Sequence, residues 1–388
     1  MYKHFITGGT GFVGKHLVKA LLDRGDRVYI LVRPSKKLTA HQRALSNFPN
    51  NRNRLTVISG DIGRNNLGIN STNLKRLRKE NINFVWHLAA NLAFNQNLED
   101  KVRFKANVMG TKNVVGVANY FDSVLCHCST AYICGDAKEL RENDWNVEQK
   151  FRNAYEQTKY LGEEVVRKQS KVPYIIYRPP LIIDKPIPGK ASNCTFGYYR
   201  YAFMFFLFRE WLVECLTQRR LLKVLFTIFG ARIERSKKAV SVPFLIMPYP
   251  KNVKINMVPI DYIVNSFLKI ALNPSAYNKT FHLTHPKPRT FIFLMKTMFE
   301  DLSIKDVKYL AVNPKLFALL FKMFYFVIIP WRGYIKSALF YMPYITTSPV
   351  FIRQHINLYN SPPSIISKKY FSKINKEAFE KIFPGIKT

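Results

Sequence analysis

Acidic residues are scarce in this chain of 388 residues, which holds 25 Asp and Glu against 60 Lys and Arg and carries a formal charge of +35. Such a charge predicts attraction to polyanions, namely nucleic acid, anionic lipid headgroups or phosphorylated small molecules. A general compositional preference for Lys and Arg, without any such partner, would give the same count. Because 47% of the residues are hydrophobic, the chain supports a sizeable core, which excludes a disordered tail.

Cysteine is also scarce, with five residues in all: Cys126, Cys128, Cys134, Cys194 and Cys215. This sparse, odd set excludes a disulfide-stapled miniprotein, and no apolar signal segment precedes the first predicted strand. We therefore expect a reducing, cytoplasmic compartment. Cys126 and Cys128 alternate along a predicted buried strand with no second ligand pair at zinc spacing, so we expect no metal site.

Uninterrupted apolar runs long enough to span a membrane are lacking. The most apolar stretch, Leu316–Trp331, is broken by Lys322 and contains Pro330, so it falls short of the ~20 residues that a spanning helix needs. We expect a monotopic or substrate-tunnel helix there, and a true membrane span is the alternative. Phe196–Phe229 mixes aromatic, aliphatic and basic residues and is followed by a basic cluster at 232–238, which is typical of an interfacial helix at an anionic membrane surface.

Short β-rich runs alternate with helical patterns, which predicts a Rossmann-like, doubly wound α/β fold with a parallel sheet. Strands are expected near Lys3–Thr7, Arg27–Arg33, Arg54–Gly60, Asn83–Leu88, Ser123–Ser129 and Pro173–Arg178. Helices are expected to begin near Phe12, Thr39, Thr72, Glu99 and Asn153.

The Pro- and Gly-bearing stretch Asp184–Lys190 is typical of a linker. Strand-type segments recur at Val253–Asp261 and Lys279–His285, which predicts that the chain returns to its first domain. We assign residues 1–185, with a return segment near 252–286, to an NADP-binding Rossmann domain. A smaller, mostly helical and hydrophobic C-terminal substrate region comprises 186–251 and 287–388, and we expect it to associate with a membrane.

Glycines cluster between the first strand and the first helix, in Thr-Gly-Gly-Thr-Gly-Phe-Val-Gly at 7–14. Glycines at this spacing let the backbone turn tightly and approach a pyrophosphate, while the helix N-terminus presents N–H groups to the anion. The strand before the loop and the helix after it make the motif specific. It predicts a dinucleotide site formed by Gly8, Thr10, Gly11, Phe12, Val13 and Gly14.

Arg33 ends the second predicted strand, where an NAD enzyme usually has an acidic residue on the ribose 2′-hydroxyl. A guanidinium can bind a 2′-phosphate with two parallel hydrogen bonds, which favours NADP(H) over NAD(H). A solvated arginine at a strand end is the alternative, so NAD(H) stays open. Asp61 and Ile62 follow the third strand and are expected beside the adenine.

Tyr155 and Lys159 stand four residues apart, on one face of a predicted helix. An ammonium group in this position can stabilise a phenolate and so fit a tyrosine for proton transfer. Thr130, at the end of the fifth strand, would deliver a hydroxyl to the carboxyl edge of the sheet, where ligands bind. Asn107, on the preceding helix, would anchor a relay water.

Six motifs stand in the order found in extended short-chain dehydrogenases/reductases: Thr-Gly-Gly-Thr-Gly-Phe-Val-Gly at 7–14, His-Leu-Ala-Ala at 87–90, Asn-Val-Met-Gly-Thr at 107–111, Ser-Thr-Ala-Tyr at 129–132, Tyr-x-x-x-Lys at 155–159 and Arg-Pro-Pro at 178–180. The chain resembles that superfamily over residues 1–300. Within it, the chain is most similar to the branch of thioester reductases and fatty acyl-CoA reductases, with a male-sterility type of NAD-binding domain. The segments 60–68, 151–164 and 257–262 carry this closer likeness.

The resemblance implies a role for each motif residue. Tyr155 would protonate the substrate oxygen, Lys159 would bind the nicotinamide ribose and lower the pKa of the tyrosine, Thr130 would hydrogen-bond the carbonyl, and Asn107 would complete the relay. The implied cofactor contacts also include Leu88, Ala89, Ala90, Arg178 and Pro179. Sugar dehydratases of the superfamily have an acidic residue after the active threonine, whereas this chain has Ala131.

These inferences favour an NADPH-dependent reductase of a lipophilic carbonyl, above all a fatty acyl thioester delivered by coenzyme A or an acyl carrier protein. A sterol-like dehydrogenase, a nucleotide-sugar epimerase and a non-catalytic dinucleotide-binding scaffold are the alternatives. We expect no nucleic acid partner because the predicted sheet is covered on both faces. The resemblance also implies a homodimer. Acyl chain length, and aldehyde or alcohol as product, stay open.

Overall fold

The computed structural model describes residues 1–35, 37–49, 53–91, 101–184, 198–234, 239–327 and 341–382. The chain divides into two compact units. The first, which we call the sheet unit, comprises Met1–Ile182, Val258–Pro286 and Pro349–Pro363. The second unit comprises Ile183–Met257, Lys287–Ser348 and Ser364–Thr388.

The strands, numbered in chain order, are β1 (Lys3–Thr7), β2 (Arg27–Val32), β3 (Leu55–Ser59), β4 (Phe84–His87), β5 (Val124–Cys128), β6 (Glu139–Leu140), β7 (Tyr174–Arg178), β8 (Leu181–Ile183), β9 (Arg232–Glu234), β10 (Ala239–Ser241), β11 (Ile246–Pro250), β12 (Lys254–Ile255), β13 (Met257–Pro259), β14 (Lys279–His282), β15 (Arg289–Thr290), β16 (Ile304–Lys305), β17 (Lys308–Val312) and β18 (Val350–Phe351). The α-helices are α1 (Phe12–Asp23), α2 (Ala40–Leu45), α3 (Ser71–Lys79), α4 (Lys101–Phe104), α5 (Gly110–Phe121), α6 (Ala154–Gln169), α7 (Tyr198–Thr217), α8 (Arg220–Ile228), α9 (Ile260–Ala271), α10 (Phe291–Asp301), α11 (Pro314–Val327), α12 (Met342–Thr346), α13 (Ile356–Tyr359) and α14 (Lys368–Ile382).

Seven parallel strands form the sheet in the order β14-β7-β5-β4-β1-β2-β3. The chain order reverses between β1 and β4, which creates the crevice where ligands bind in doubly wound folds. The predicted α/β fold is confirmed. Strand β1 has the predicted bounds. Five other strands are one or two residues shorter than predicted, namely β2, β3, β4, β5 and β7.

Both faces of the sheet are buried, because alternate side chains of each strand enter two apolar cores. Ile6 and Trp86 point into one core, together with Leu17 of α1 and Phe267 of α9. Phe5, Val85 and Leu125 enter the other, against α5. Such two-sided burial explains why these strands are nearly continuous apolar runs.

Local caps fix where two of the helices begin. The Asn153 side chain accepts a hydrogen bond from the backbone N–H of Glu156, and Thr39 forms a capping box with Gln42. The predicted start of a helix near Glu99 lies outside the described residues, and α4 is described from Lys101 onward.

Residues 349–363 belong to the sheet unit, in contrast to our assignment of all of 287–388 to the second region. Strand β18 pairs in parallel with β6. The buried carboxylate of Glu142 accepts hydrogen bonds from the backbone N–H groups of His282 (2.8 Å), Ile356 (3.2 Å) and His355. One buried charge thus joins three distant parts of the chain.

The second unit combines helices with three small sheets, formed by β9, β10 and β16, by β11 and β17, and by β12 and β15. Its core contains Phe299, Phe371 and Phe379, from α10 and α14. Among the described residues, no helix is long and apolar enough to cross a membrane. The predicted apolar helix at Leu316–Trp331 corresponds to α11 up to Val327, and the rest of that segment, like the predicted linker after Asp184, lies outside the described residues.

Candidate active site

The glycine-rich loop joins β1 to α1 through very close backbone packing. Gly8 has a φ of +76°, and a Cβ placed there would lie 2.6 Å from the backbone nitrogen of Ala89. A Cβ on Gly14 would lie 2.1 Å from the carbonyl oxygen of Gly8, and the Gly11 N–H donates to that same oxygen over 2.9 Å. Only glycine fits at Gly8 and Gly14, so the loop can pack closely against the backbone segment that directly follows β4.

The beginning of α1 is available to bind an anion. Gly11 is the N-cap residue and, within the described part of the chain, no side chain caps it. The first-turn N–H groups of a helix bind anions when no side chain occupies them. Thr10, Phe12 and Val13 lie at this turn, so the geometry of the loop fits the pyrophosphate of a dinucleotide, and the contacts of these residues with it stay a prediction.

Arg33 and Asp61 come together at the carboxyl ends of β2 and β3. The Arg33 Nη1 lies 3.8 Å from the Asp61 Oδ2, and the Arg33 side chain is 72% exposed. The other carboxylate oxygen of Asp61 accepts a hydrogen bond of 2.9 Å from the Gly63 N–H, while the Ile62 carbonyl accepts one of 2.8 Å from Asn113. The arginine therefore remains accessible to a ligand, and the carboxylate sits beside it.

Tyr155, in the first turn of α6, is half-buried, and its phenol is close enough to the Thr130 hydroxyl to interact with it. Burial raises the pKa of Tyr155, and the interaction with Thr130 only partly offsets this rise. Thr130 itself is held by the backbone, since its Oγ1 accepts from the Tyr132 N–H (3.3 Å) and lies 3.4 Å from the Pro179 carbonyl. The phenol thus keeps its proton and lies beside the Thr130 hydroxyl at the carboxyl edge of the sheet.

Lys159 is buried one turn further along α6, and its Nζ donates a hydrogen bond of 2.5 Å to the Cys128 carbonyl. Burial lowers the pKa of this ammonium, against the opposing charges of Cys128 and Glu163. We expected Lys159 to lower the pKa of Tyr155. Overall the pKa of Tyr155 is raised, because loss of solvent around the phenol is the largest influence on it, and the lowering effect of Lys159 stays a prediction.

Asn107 lies in a π-helical turn, Lys105–Met109, between α4 and α5. Its side chain donates to the Thr158 Oγ1 (3.1 Å) and to the Asn91 carbonyl (3.2 Å), and accepts from the Asn91 N–H (2.7 Å). Turns of this kind occur frequently at functional sites. The side chain therefore holds the backbone directly after Leu88, Ala89 and Ala90, and the relay role that we predicted for Asn107 stays a prediction.

Arg178 is part of the scaffold, in contrast to the cofactor contact that we predicted. It is fully buried, and its Nε and Nη2 donate to both carboxylate oxygens of Glu163, over 3.0 and 2.8 Å. Its remaining N–H groups reach the carbonyls of Arg141 and Asp144 and the Nε2 of His282. All five donors of the guanidinium are used within the protein, so none is left for a cofactor.

Pro179 also supports the site through its backbone. Its carbonyl accepts a hydrogen bond of 2.9 Å from the Ala131 N–H, next to the Thr130 hydroxyl. The Arg-Pro-Pro motif therefore shapes the loop that carries Thr130.

Sequence reasoning missed Thr158 and Glu163, both on α6. Thr158 lies inside the Tyr-x-x-x-Lys motif and hydrogen-bonds Asn107, and Glu163 follows Lys159 by four residues and binds Arg178. Helical spacing alone places Glu163 on the same face as Lys159, so the 3.6-residue period was the available signal.

Comparison with known proteins decides the family. Residues 6–227 match the family model described as Male sterility protein, an NAD-binding domain. The chain belongs to this family. The predicted membership of the extended short-chain dehydrogenases/reductases is thereby confirmed, and the nicotinamide dinucleotide fits the glycine loop described above.

Two relatives and one solved structure illustrate this Male sterility protein assignment. The chain is 28% identical to "Fatty acyl-CoA reductase wat" of Drosophila melanogaster, over 49% of this chain and 45% of that protein. It is 27% identical to "Nonribosomal peptide synthetase asaC" of Aspergillus flavus, over 79% of this chain and 29% of that protein. The chain thus spans less than half the length of either relative.

The similar structure is the terminal R domain from the myxalamid PKS-NRPS biosynthetic pathway. It superposes with a TM-score of 0.73 at 19% identity and covers 100% of this chain and 93% of that domain. At this identity the likeness concerns the fold, and it confirms the Rossmann-like architecture of this chain.

Proposed function

We propose that this chain is an NADPH-dependent reductase whose substrate is a fatty acyl thioester. The observation that carries the proposal is that the Tyr155 phenol and the Thr130 hydroxyl lie next to each other at the carboxyl edge of the sheet, on the same edge as the glycine loop between β1 and α1. Two neighbouring hydroxyl groups can both donate a hydrogen bond to one carbonyl oxygen.

Each side chain has a distinct task in the reduction. The bound nicotinamide supplies the hydride that adds to the carbonyl carbon. Tyr155 gives its phenolic proton to the carbonyl oxygen, Thr130 orients that oxygen, and the ammonium of Lys159 supports the charge left on the phenolate. A thioester, one hydride and one proton yield an aldehyde and a free thiol once the carbon–sulfur bond breaks.

The raised pKa of Tyr155 suits reduction more than oxidation. A phenol whose pKa lies above its ordinary value is protonated at neutral pH, so it is ready to donate. An oxidation would require the phenolate, which burial disfavours.

The exposed guanidinium of Arg33 supports NADP(H) over NAD(H) in our proposal. It is free to form charge-assisted hydrogen bonds with a 2′-phosphate at the end of β2, beside Asp61. Replacing Arg33 by Ser should raise the KM for NADPH by about tenfold to a hundredfold and leave that for NADH unchanged, since such bonds contribute about 1.5–3 kcal/mol.

An acyl donor bound to coenzyme A or to a carrier protein supports the same scheme. Either donor carries phosphate groups, and the chain has a formal charge of +35, which would attract them. The fly protein is named a fatty acyl-CoA reductase, and the superposed R domain comes from an assembly-line pathway. Both names are consistent with a thioester substrate for this chain.

The decisive experiment measures NADPH consumption with palmitoyl-CoA for the wild type, Tyr155→Phe and Tyr160→Phe. Tyr155→Phe removes the proton donor and keeps the ring, so kcat should fall by about a hundredfold or more with unchanged NADPH affinity. Tyr160 is the adjacent residue on α6, where its ring stacks on Trp145 at 5.1 Å, and its replacement should leave turnover within about twofold of wild type. Equal turnover in Tyr155→Phe and wild type would contradict the proposed proton donor. NADPH binding without any thioester reduction would contradict the substrate class.

A further inference from the structure

Helix α8 of the second unit exposes one apolar face to solvent. Four of its side chains are largely exposed: Leu221 (87%), Val224 (57%), Leu225 (46%) and Ile228 (74%). Their spacing places all four on a single face of the helix. All nine residues of α8 stay at least partly exposed, so this face has no cover within the protein as described.

The opposite side of α8 is anchored. Leu222 and Phe226 are half-buried, and the Phe226 ring contacts those of Trp211 at 5.9 Å and Phe244 at 5.5 Å. Rotation of the helix to bury its exposed face would break these contacts. The exposure is therefore a property of the packed unit and not of a loose helix end.

Positive charge borders the exposed apolar face. The stretch 215–233 contains four basic residues and no acidic one. Arg219 is paired with Glu214 at 3.0 Å, whereas Arg220 and Lys223 have no carboxylate at ion-pair distance among the described residues. Two cations thus remain available on the flank of an apolar helix, the pattern of helices that lie in the headgroup region of anionic membranes.

The preceding helix α7 differs in this respect. The sequence indicated one interfacial segment over 196–229, but α7 buries Phe206, Phe208, Leu212 and Cys215 inside the second unit. These described side chains of α7 serve the core, so among the described residues of the segment α8 is the helix with a free apolar face.

We propose that α8 docks the protein on an anionic lipid bilayer. Leu221, Val224, Leu225 and Ile228 enter the boundary between headgroups and acyl chains, and Arg220 and Lys223 contact the lipid phosphates. This places the second unit at the source of long-chain lipophilic molecules, whatever the carbonyl that the sheet unit acts on.

Co-sedimentation with vesicles tests the proposal. Vesicles of phosphatidylcholine with one-quarter phosphatidylserine should bind the wild type, and the double variant Leu221→Ser/Ile228→Ser should bind about tenfold more weakly or worse. Arg220→Gln/Lys223→Gln should weaken binding to these vesicles by about fivefold per charge and change little with pure phosphatidylcholine. Both pairs are exposed, so thermal unfolding should match the wild type.

A matched control uses α11, where Leu319 and Met323 are 55% and 56% exposed. The variant Leu319→Ser/Met323→Ser also replaces two exposed apolar side chains of the second unit, although they are less exposed than Leu221 and Ile228, and it should bind vesicles like the wild type. Equal binding of wild type and Leu221→Ser/Ile228→Ser, or no binding of the wild type, would overturn the proposal. A wild-type dimer in sedimentation velocity that this α8 variant abolishes would overturn it too, because a second copy would then cover the face.

Discussion

The guanidinium of Arg178 and the carboxylate of Glu163 form a doubly hydrogen-bonded ion pair that is completely buried inside the sheet unit. Arg178 ends β7 and Glu163 lies on α6, so the pair fixes the catalytic helix against the sheet. The nearby guanidinium lowers the pKa of Glu163 and keeps it charged. A motif that resembles a cofactor contact thus holds the site in shape.

Removal of the arginine should be strongly destabilising. Arg178→Leu leaves the Glu163 carboxylate buried without its partner, which should lower the free energy of unfolding by about 3–5 kcal/mol. Urea denaturation measures this loss. Arg33→Leu is the control, because that exposed side chain should change stability by no more than about 0.5 kcal/mol. Similar stabilities for the two variants would contradict the scaffold role.

Two glycines should respond in opposite directions to alanine. Gly8→Ala meets the Ala89 backbone at 2.6 Å with a φ of +76°, so it should cost about 1–3 kcal/mol of stability or more and weaken NADPH binding. Gly116, within α5, has open space around its missing Cβ, so Gly116→Ala should stabilise by up to about 1 kcal/mol. Thermal unfolding and a fluorescence titration with NADPH measure both effects. A Gly8→Ala variant that is more stable than the wild type and still binds NADPH would refute the role of the glycine-rich loop in cofactor binding.

Thr158 should act as a positioning residue. Thr158→Val loses the hydrogen bond that Asn107 donates to the hydroxyl, whereas Thr158→Ser keeps it. We expect kcat of the valine variant to fall by up to about a hundredfold, because a small displacement near the reacting atoms is costly. The serine variant should restore most of the rate at unchanged stability. A serine variant as slow as the valine variant would refute the role of this hydroxyl.

Buried neutral histidines should make the fold acid-sensitive. Burial lowers the pKa of His87 to about 3 and places those of His127 and His282 well below their ordinary value. As pH falls below about 6.5, the unfolded chain binds protons that the folded chain does not, so stability declines by about 1.4 kcal/mol per pH unit for each histidine. Urea midpoints between pH 6.5 and 4 measure the slope.

His127→Leu is the matching variant for that slope. Among the described residues, neither ring nitrogen of His127 has a hydrogen-bond partner. Its replacement should therefore reduce by about one the number of protons taken up on unfolding, and lower the slope of the free energy of unfolding against pH accordingly. An unchanged slope would show that His127 does not contribute to it.

The pH dependence of turnover should follow Tyr155. Because burial raises the pKa of Tyr155, the phenol stays protonated through neutral pH and into the alkaline range. We expect kcat for reduction to stay constant from about pH 6.5 to pH 9, below the ordinary tyrosine pKa of about 10. Loss of kcat with an apparent pKa near 7 would instead indicate a tyrosine whose pKa Lys159 lowers.

Much of the sheet was predictable, because its signals are local. The apolar run Lys3–Thr7, the glycine loop and the caps at Thr39 and Asn153 each specify a structure within a few residues of sequence. The position of Thr130 at the carboxyl edge of the sheet could also be predicted, because this residue comes just after the end of β5.

The parts that sequence reasoning missed depend on distant partners. Nothing near Arg178 shows that Glu163, Asp144 and His282 will use its donors. Likewise, nothing in residues 349–363 indicates that they belong to the sheet unit, because the Glu142 carboxylate that binds them lies more than 200 positions earlier in the sequence. The spacing of Tyr155 and Lys159 also did not indicate that burial raises the pKa of the tyrosine, because solvent loss around a side chain cannot be read from spacing.

The sheet unit is assembled from three stretches of chain that end at Ile182, Pro286 and Pro363. A ribosome adds about 5–20 residues per second, so the last stretch emerges on the order of ten seconds or more after the first. Until the second stretch is made, β7 lacks its edge partner β14 and Glu142 lacks the N–H of His282. Until the third stretch is made, Glu142 also lacks the N–H groups of His355 and Ile356. The sheet unit therefore cannot complete its folding until residues 349–363 have been synthesised. Chaperone dependence during synthesis is the expected cellular consequence of this interleaved order.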